Sequence, residues 1–231
     1  MPYPGRMPRD TLTTERIVRT AIELLDAEGL EGLNMRSLGE RLGSAATAVY
    51  WHVKSKDNLV KLAGDEVWNE IELPDLDAVD WRTAATTMAH SLYNMIIRHP
   101  WLVMAMGTHV MYGPGKSRHD DHGLAIYERA GFVGADADRA MATVFIFVLG
   151  ITLGESAAVT LTRRLRREGG DAEEQMKEMM AQASEIAMRF PRLHARIEAV
   201  QDAGYGEAPD KSLEFGLQVI FDGLEAQLAA R

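Results

Sequence analysis

The feature that most constrains this chain is a pair of very short helical segments joined by a tight turn. The first segment begins after Asn34 and ends at Gly43, and the second covers about residues 47–52. Helices this short are unstable alone, so they must pack against a longer one. A helix predicted over residues 14–28, with Thr13 as its N-cap, supplies that partner. Together the three predict a helix-turn-helix unit.

The apolar side chains of these three segments are spaced so that they meet in one core. They are Ile17, Ala21, Leu24 and Leu25 on the first helix, Leu38 and Leu42 on the second, and Val49 and Val53 on the third. This packing leaves Tyr50, Trp51 and His52 on the outer surface. Either aromatic residue alone is as consistent with a core position, but the whole run favours a surface that the major groove of DNA covers.

Two lysines, Lys54 and Lys56, flank Ser55, the predicted N-cap of a fourth helix that runs towards Ile71. A helix N-terminus beside a lysine is a favourable place for a phosphate group. The formal net charge of −9 argues against a nucleic-acid binder until its distribution is considered. Residues 1–56 hold eight Lys/Arg and seven Asp/Glu, so nearly all the excess negative charge lies beyond them.

Helical periodicity continues to the end of the chain, and no segment alternates as a strand does. We therefore expect an all-α protein: a flexible arm over residues 1–10, a helix-turn-helix domain over 11–57, a connecting helix and linker over 58–79, and a larger helical domain over 80–231. The chain has no cysteine, which excludes disulfides and thiolate metal sites. The apolar run at 144–153 is too short to span a bilayer, so we expect a cytoplasmic protein without a membrane partner.

The stretch from about Thr13 to Leu62 resembles the tetracycline-repressor (TetR) family of bacterial transcription regulators. The motifs that carry the resemblance are Gly32-Leu33, Met35-Arg36-Ser37-Leu38, Leu42-Gly43, Tyr50-Trp51-His52-Val53 and Lys54-Ser55-Lys56-Asp57. The resemblance implies that Thr47 and Ala48 face bases and that Tyr50, His52 and Lys56 hold phosphates. It also implies that Arg36 reaches the duplex, and with Trp51 and Lys54 these residues form the expected DNA-binding set.

Three positions depart from the family pattern in this stretch, and one of them is Ser44, which replaces a usual aliphatic residue in the turn. Gly39 stands where alanine is usual, at a cost of about 1 kcal/mol in helix propensity. Ala45 stands where a capping Ser or Thr is common, which removes a cap worth about 1 kcal/mol unless Ser44 replaces it.

The second part of the chain resembles the same family more weakly. The motifs are Asp80-Trp81-Arg82, Arg98-His99-Pro100-Trp101, Leu149-Gly150 with Glu155, Phe215-Gly216-Leu217 and Gly223-Leu224-Glu225. The resemblance implies a homodimer built from the eighth and last helices. An apolar stripe near the end supports it, and the expected interface comprises Leu213, Gly216, Leu217, Ile220, Gly223 and Leu224. An ordinary core face within one chain is the alternative.

Methionines are frequent between residues 88 and 106, and such side chains adapt to varied ligands. Plain core packing is the alternative, but the resemblance implies a ligand cavity in this region. The expected cavity set is Trp68, Glu72, Met88, Leu92, Met95, Trp101, Met104, Thr143 and Phe147. Glu72 or Thr143 would meet the polar groups of a mostly apolar effector.

One cluster resembles a metal site: His109, His119 and His122, with Asp120 and Asp121 beside them. Because Gly113-Pro114-Gly115 precedes it, we expect a solvated loop, with a metal site as the alternative. No cofactor is expected.

The sequence therefore predicts a dimeric, non-enzymatic DNA-binding regulator. It would repress a nearby gene from a palindromic operator and release it when a small apolar ligand binds. The second interpretation of the sequence is a ligand-independent DNA-binding protein. The third is an enzyme that uses the histidine–aspartate cluster over 109–122.

Overall fold

A computed structural model describes residues 12–169, 171–203 and 208–230, without the side chains of 199–203 and 208–210. Within these residues the chain forms eleven α-helices and no strand, which confirms the all-α prediction. The helices are α1 (Thr14–Gly32), α2 (Met35–Leu42), α3 (Ala46–Val53), α4 (Lys56–Val67), α5 (Trp81–Arg98), α6 (Trp101–Met106), α7 (Pro114–Ala130), α8 (Ala135–Arg167), α9 (Ala172–Ala187), α10 (Pro191–Ala203) and α11 (Ala208–Ala229). The arm expected over residues 1–10 lies outside the described residues.

The predicted N-caps are present at the first helices. Thr13 accepts a hydrogen bond from the Arg16 amide at 3.3 Å, and Asn34 accepts one from the Ser37 amide at 2.8 Å. Ser55 caps α4 in the same way, 3.0 Å from the amide nitrogen of Asn58. Ala45 is the N-cap of α3 and provides no side-chain hydrogen bond, as expected.

Two glycines shape α1–α3. Gly29 breaks α1 with a φ of +71°, a conformation that favours glycine. Gly39 lies within α2 and faces the turn that leads into α3, and a Cβ there would lie 2.8 Å from the carbonyl oxygen of Ser44 and 3.1 Å from the amide nitrogen of Ala46. The close backbone approach in the turn therefore requires Gly39, which explains the departure from alanine.

Helix α4 joins α1–α3 to the rest of the protein. Its first residues follow α3, and its end continues into a 3-10 turn, Trp68–Glu70, inside the larger helical part. Near that end, Asp65 accepts hydrogen bonds from the backbone amides of Gly115 and Lys116 at 3.1 and 3.0 Å. Asp65 thus caps the N-terminus of α7, so α4 and α7 are held together.

The larger part is organised around α5 and α8, which pack against each other, with α7 and α11 against them. Its core includes Ala84, Met95, Ile96, Val148 and Phe221, each nearly free of solvent. Helix α8 is also the longest helix, and it contacts α1 as well as α5, α6, α7 and α11. Its position lets it touch both parts of the molecule.

Candidate DNA-binding surface and ligand cavity

Helix α3 has one buried and one exposed face. Val49 and Val53 are fully buried against the other helices, as predicted. Tyr50 and Trp51 point outward, with 43 % and 72 % of their surfaces exposed. An eight-residue helix that carries a tryptophan so open to water presents an apolar surface that the described residues leave largely uncovered.

The remaining α3 residues of the predicted DNA-binding set are also accessible. Thr47 is exposed, and Ala48 and His52 are half-buried. His52 packs edge-on against Trp51, with ring centroids 5.0 Å apart. These side chains form one patch with Tyr50 on the outer side of α3.

The three cations predicted around this patch differ in how they are held. Arg36 is almost fully exposed and pairs with Glu40 at 3.2 Å. The Lys54 amine donates to the carbonyl oxygen of Trp51 at 2.8 Å and lies 5.5 Å from its ring centroid. The Lys56 amine instead donates to the carbonyl oxygen of Leu30 at 3.2 Å, which ties α4 to the end of α1. Lys54 is therefore the more open of the two lysines.

A small cavity of about 30 Å³ lies among α5, α7 and α8. That is the volume of about one water molecule, far below the ~300–1,000 Å³ of drug-sized ligand sites. A larger ligand must therefore move these helices to enter. The cavity is lined by Ala85, Met88, Ala89, Leu92, His119, Gly123, Ile126, Tyr127, Met141, Val144 and Phe145.

Of the nine residues predicted for the cavity, the structure places Met88 and Leu92 in its wall. Trp68 lies directly behind the wall, with its ring centroid 4.9 Å from that of His119 and 6.2 Å from that of Phe145. Two of the nine thus line the space, and a third contacts residues that line it.

The other six predicted residues lie elsewhere. Met95 is fully buried core, and Phe147 packs against Gly216 of α11. Glu72 and Thr143 are exposed, so they do not supply the polar groups of this cavity. Trp101 and Met104 line a separate groove of about 140 Å³ between α1, α6 and α8. The prediction grouped residues by shared helix faces within the region where the resemblance implies a cavity. A shared face does not tell which neighbouring helix that face contacts.

The polar groups at the cavity come from α7 instead. This helix begins at Pro114, a residue well suited to the first turn, and so includes the segment expected to be a loop. His119 is therefore buried in a helix, and its Nδ1 lies 3.1 Å from Oδ1 of Asp120. Asp120 also accepts from the Lys116 amine at 2.6 Å. The pKa of Asp120 is lowered, because the hydrogen bonds and charges of His119 and Lys116 outweigh its burial, which alone would raise it.

The three histidines of the proposed metal cluster have separate partners. His109 lies 3.7 Å from Asp57 and contacts Thr108, whereas Nε2 of His122 lies 3.0 Å from the carbonyl oxygen of Pro74. No group of three or more potential metal ligands occurs in the described part of the chain.

A second polar cluster joins α1 to the larger helical part. Asp26 of α1 accepts from the indole N–H of Trp101 at 2.7 Å and contacts Nδ1 of His99 at 2.7 Å. Nε2 of His99 lies 3.0 Å from Glu70, which also pairs with Arg98. His99 is 6 % exposed, so this is a buried junction rather than a surface ion pair.

Two arginines from the end of α8 complete this junction. Arg163 donates to the backbone carbonyl of Asp26, and Arg167 donates to that of Glu28 at 3.0 Å. These carbonyls lie beside the break in α1 at Gly29, and cations are favourable at a helix C-terminus. Sequence reasoning missed this junction, although the arginine run after residue 162 was a visible signal.

The leucine stripe predicted for the dimer interface lies inside the chain. Leu213, Leu217 and Leu224 are 3, 2 and 7 % exposed, and Ile220 is half-buried in the same cluster. A Cβ at Gly216 would lie 1.9 Å from the ring of Phe147, so that glycine serves packing within the chain. Of the six predicted residues, Gly223 alone is exposed, with no atom near its missing Cβ.

The opposite faces of α8 and α11 carry an exposed apolar stripe. Ile146 and Leu153 are 65 % and 51 % exposed on α8, and Phe215 and Val219 are 71 % and 54 % exposed on α11. Gly150 and Gly154 lie among the α8 residues with open space before them. Helix α8 extends well past the apolar run at 144–153 on both sides. By length and composition alone, the whole helix could therefore cross a membrane. A stripe of this kind also suits pairing with a second helix.

Two family models match this chain. "Bacterial regulatory proteins, tetR family" matches residues 17–63, and "Tetracyclin repressor-like, C-terminal domain" matches residues 73–228. The chain is 30 % identical over 229 residues to the HTH-type transcriptional repressor DrrR1 of Streptomyces coeruleorubidus, covering 99 % of this chain and 83 % of that protein. It is 37 % identical over 145 residues to an HTH-type transcriptional regulator of Saccharopolyspora erythraea, covering 63 % of this chain and 61 % of that one.

Solved structures agree with these matches. The TetR family protein ActR of Streptomyces coelicolor, in complex with actinorhodin, superposes with a TM-score of 0.74 at 27 % identity. The superposition covers 94 % of this chain and 97 % of that one. The resemblance predicted from residues 13–62 and from the later motifs is thereby confirmed.

Proposed function

Because this chain belongs to the TetR family of bacterial transcription regulators, we propose that it represses a nearby gene from a palindromic operator and releases the operator when a small, mostly apolar effector binds. The observation that carries the proposal is the connection between two sites by one helix. Helix α4 follows the exposed patch of α3 and ends at Trp68, behind the wall of the cavity. Its twelve residues span about 18 Å.

The DNA-binding part of the proposal rests on α3 and its neighbours. Tyr50 and Trp51 are exposed on α3, as the residues of a recognition helix are, and we expect Thr47 and Ala48 to face the bases. Lys54 and Arg36 lie beside it and suit phosphate contacts. The Lys56 amine can bind a phosphate only if it also keeps its hydrogen bond to the Leu30 carbonyl oxygen or breaks that bond.

Effector release requires a mechanical link from the cavity to α4, and α7 supplies it. His119 in the cavity wall contacts Asp120, and Asp120 binds the amine of Lys116. The backbone amide of Lys116 is in turn capped by Asp65 of α4. A ligand that expands the cavity displaces α7, and α4 moves with it. If the effector binds the DNA-releasing state a hundredfold more tightly than the DNA-bound state, its binding free energies to the two states differ by about 2.7 kcal/mol.

A second copy of this chain is the proposed partner for the exposed stripe on α8 and α11. A two-fold dimer presents two recognition helices and therefore reads an inverted repeat. The glycines Gly150, Gly154 and Gly223 leave room for close helix approach. We further propose a cytoplasmic location, since the stripe that gives α8 its hydropathy is then covered by the partner.

The effector of this chain is proposed to be a planar aromatic molecule. Aromatic rings of His119, Tyr127 and Phe145 line the cavity, with Trp68 behind them. The related protein ActR, solved with actinorhodin, supports a ligand-responsive regulator.

The test begins with operator selection from random DNA by the purified protein, which should yield an inverted repeat. A panel of planar aromatic compounds is then tested for release of that DNA. Met88→Phe adds about as much side-chain volume as the cavity offers, so it should fill the cavity, abolish release and leave operator affinity close to that of the wild type. Its matched control is Met104→Phe, at an exposed site outside the cavity, which should respond like the wild type. If Met104→Phe alone blocks release, the effector binds the groove between α1, α6 and α8.

A further inference from the structure

The indole N–H of Trp68 is a buried donor with no acceptor. The side chain is 1 % exposed, and its Nε1 has no hydrogen-bond partner among the described residues. A buried polar group without a partner is costly, and native proteins rarely retain one. Trp68 therefore needs an acceptor that the described residues do not supply.

The neighbouring His119 offers the complementary group. Asp120 is a carboxylate with a lowered pKa, so it accepts the hydrogen bond from Nδ1–H of His119. In that tautomer Nε2 is an acceptor, and no partner for it is found within the described chain. The ring belongs to the cavity wall, 4.9 Å from the ring of Trp68. The unused donor of Trp68 and the unused acceptor of His119 thus lie on neighbouring rings, and the ring of His119 lines the cavity.

We propose that these two residues read a hydroxyl group on the effector, which makes the effector a planar aromatic alcohol, a phenol. Its oxygen accepts from Nε1–H of Trp68, and its proton is donated to Nε2 of His119. A hydroxyl is the smallest group that does both. This inference rests on the proposed effector cavity, and it adds the group that the effector must carry.

The surroundings favour a neutral phenol over an anion. The Lys116 amine lies 4.8 Å from the Trp68 ring centroid, but both oxygens of Asp120 neutralise it at 2.6 Å. The remaining wall is apolar, with Met88, Leu92 and Val144 among its residues. An ionised ligand would lose its hydration there without a free cation to compensate it.

The test compares three probes that differ at one substituent: 2-naphthol, 2-methoxynaphthalene and 2-methylnaphthalene. Binding to the purified protein is measured by calorimetry, with no DNA present. We expect 2-naphthol to bind about tenfold more tightly than 2-methylnaphthalene, with the methoxy compound between them because it only accepts. Trp68→Phe and His119→Phe should each reduce the advantage of 2-naphthol to less than about threefold.

A spectroscopic measurement on the wild type tests the same contact without depending on whether a variant folds. In the wild type, the indole N–H resonance of Trp68 should move downfield on addition of 2-naphthol and not on addition of 2-methylnaphthalene. Equal affinities for the three probes, no binding of 2-naphthol at its solubility limit, or an unchanged indole resonance would each overturn the inference. Failure of the proposed function would give a different result. In that case 2-naphthol binds with the expected selectivity, but no ligand releases the selected operator.

Discussion

Nδ1 of His99 lies 2.7 Å from Oδ1 of Asp26, so the end of α5 is joined directly to α1. Its Nε2 faces a second carboxylate, Glu70, at 3.0 Å. Carboxylates only accept hydrogen bonds, so both contacts form only when both ring nitrogens carry protons. His99 is thus an imidazolium ion at the junction between α1 and the larger helical part.

This geometry predicts a pH-dependent stability. Burial alone would lower the pKa of His99, but the hydrogen bonds and charges of Asp26 and Glu70 outweigh it and raise the pKa above its ordinary value. The contribution of His99 to stability is therefore present in full below about pH 6.5 and is lost as pH rises through the raised pKa. Melting temperatures of the wild type and of His99→Gln should converge as pH increases from about 6 to about 9.

The matched control is His194→Gln, at a more exposed histidine that pairs with Glu198 at 3.2 Å. Its melting temperature should follow that of the wild type at every pH, because surface ion pairs contribute little. A difference between wild type and His99→Gln that stays constant across the pH range would contradict the charged state assigned to His99.

Local features of this fold were predictable because they act over a few residues. Thr13, Asn34 and Ser55 cap their helices through bonds three residues away, and the break at Gly29 follows from one residue type. Gly39 was visible as a departure, but its reason was not. The carbonyl of Ser44 that excludes a Cβ is placed by tertiary packing.

Contacts between distant helices were predicted less well. Periodicity grouped Leu213, Leu217 and Leu224 correctly on one face, but it does not tell whether the same chain or a second copy covers that face. The wall of the cavity contains the predicted Met88 and Leu92, and it contains Val144 and Phe145 where the prediction had Thr143. On α8 both sides carry apolar residues, so its inward face cannot be read from hydropathy.

Gly39→Ala should destabilise the protein although alanine favours helices. The new Cβ would lie 2.8 Å from the Ser44 carbonyl oxygen, so the turn between α2 and α3 must shift. Overpacking of this kind costs about 1–3 kcal/mol, more than the gain of about 1 kcal/mol in propensity. Chemical denaturation measures the difference, and operator affinity should fall as well. Glu40→Ala, at the exposed neighbour, is the control, and equal stability of both variants would remove the packing role assigned to Gly39.

Lys54→Gln should weaken binding to all DNA sequences alike. The lysine is exposed beside the patch of α3 and makes one internal hydrogen bond, to the Trp51 carbonyl. Loss of one phosphate contact should reduce the slope of log affinity against log salt concentration by about one unit. Thr47→Ala, in contrast, should change the preference at one position of each half-site by about 1–3 kcal/mol and leave the salt slope alone. An unaltered slope for Lys54→Gln would exclude its phosphate contact.

The apolar stripe on α8 and α11 gives the sharpest test of the dimer, because charge can be placed on it without disturbing a single chain. Val219 is 54 % exposed, so Val219→Glu should leave the helical fold intact. In a two-fold interface the same substitution buries two unpaired charges, at a cost of about 3–5 kcal/mol each. Sedimentation at micromolar concentration should therefore find a dimer for the wild type and a monomer for Val219→Glu, with operator affinity lost in parallel.

Two control variants distinguish dissociation of the dimer from unfolding of the chain. Gln218→Glu adds the same charge to an exposed position of α11 that lies off the row formed by Phe215, Val219 and Gly223, so this variant should remain dimeric. Leu217→Ala removes a side chain that is 2 % exposed within the chain, so it should lower the free energy of unfolding by about 2–5 kcal/mol without a specific shift to monomer. If Val219→Glu stays dimeric while Leu217→Ala dissociates, the interface is formed by the leucine face after partial opening of α11, and the exposed stripe serves another purpose.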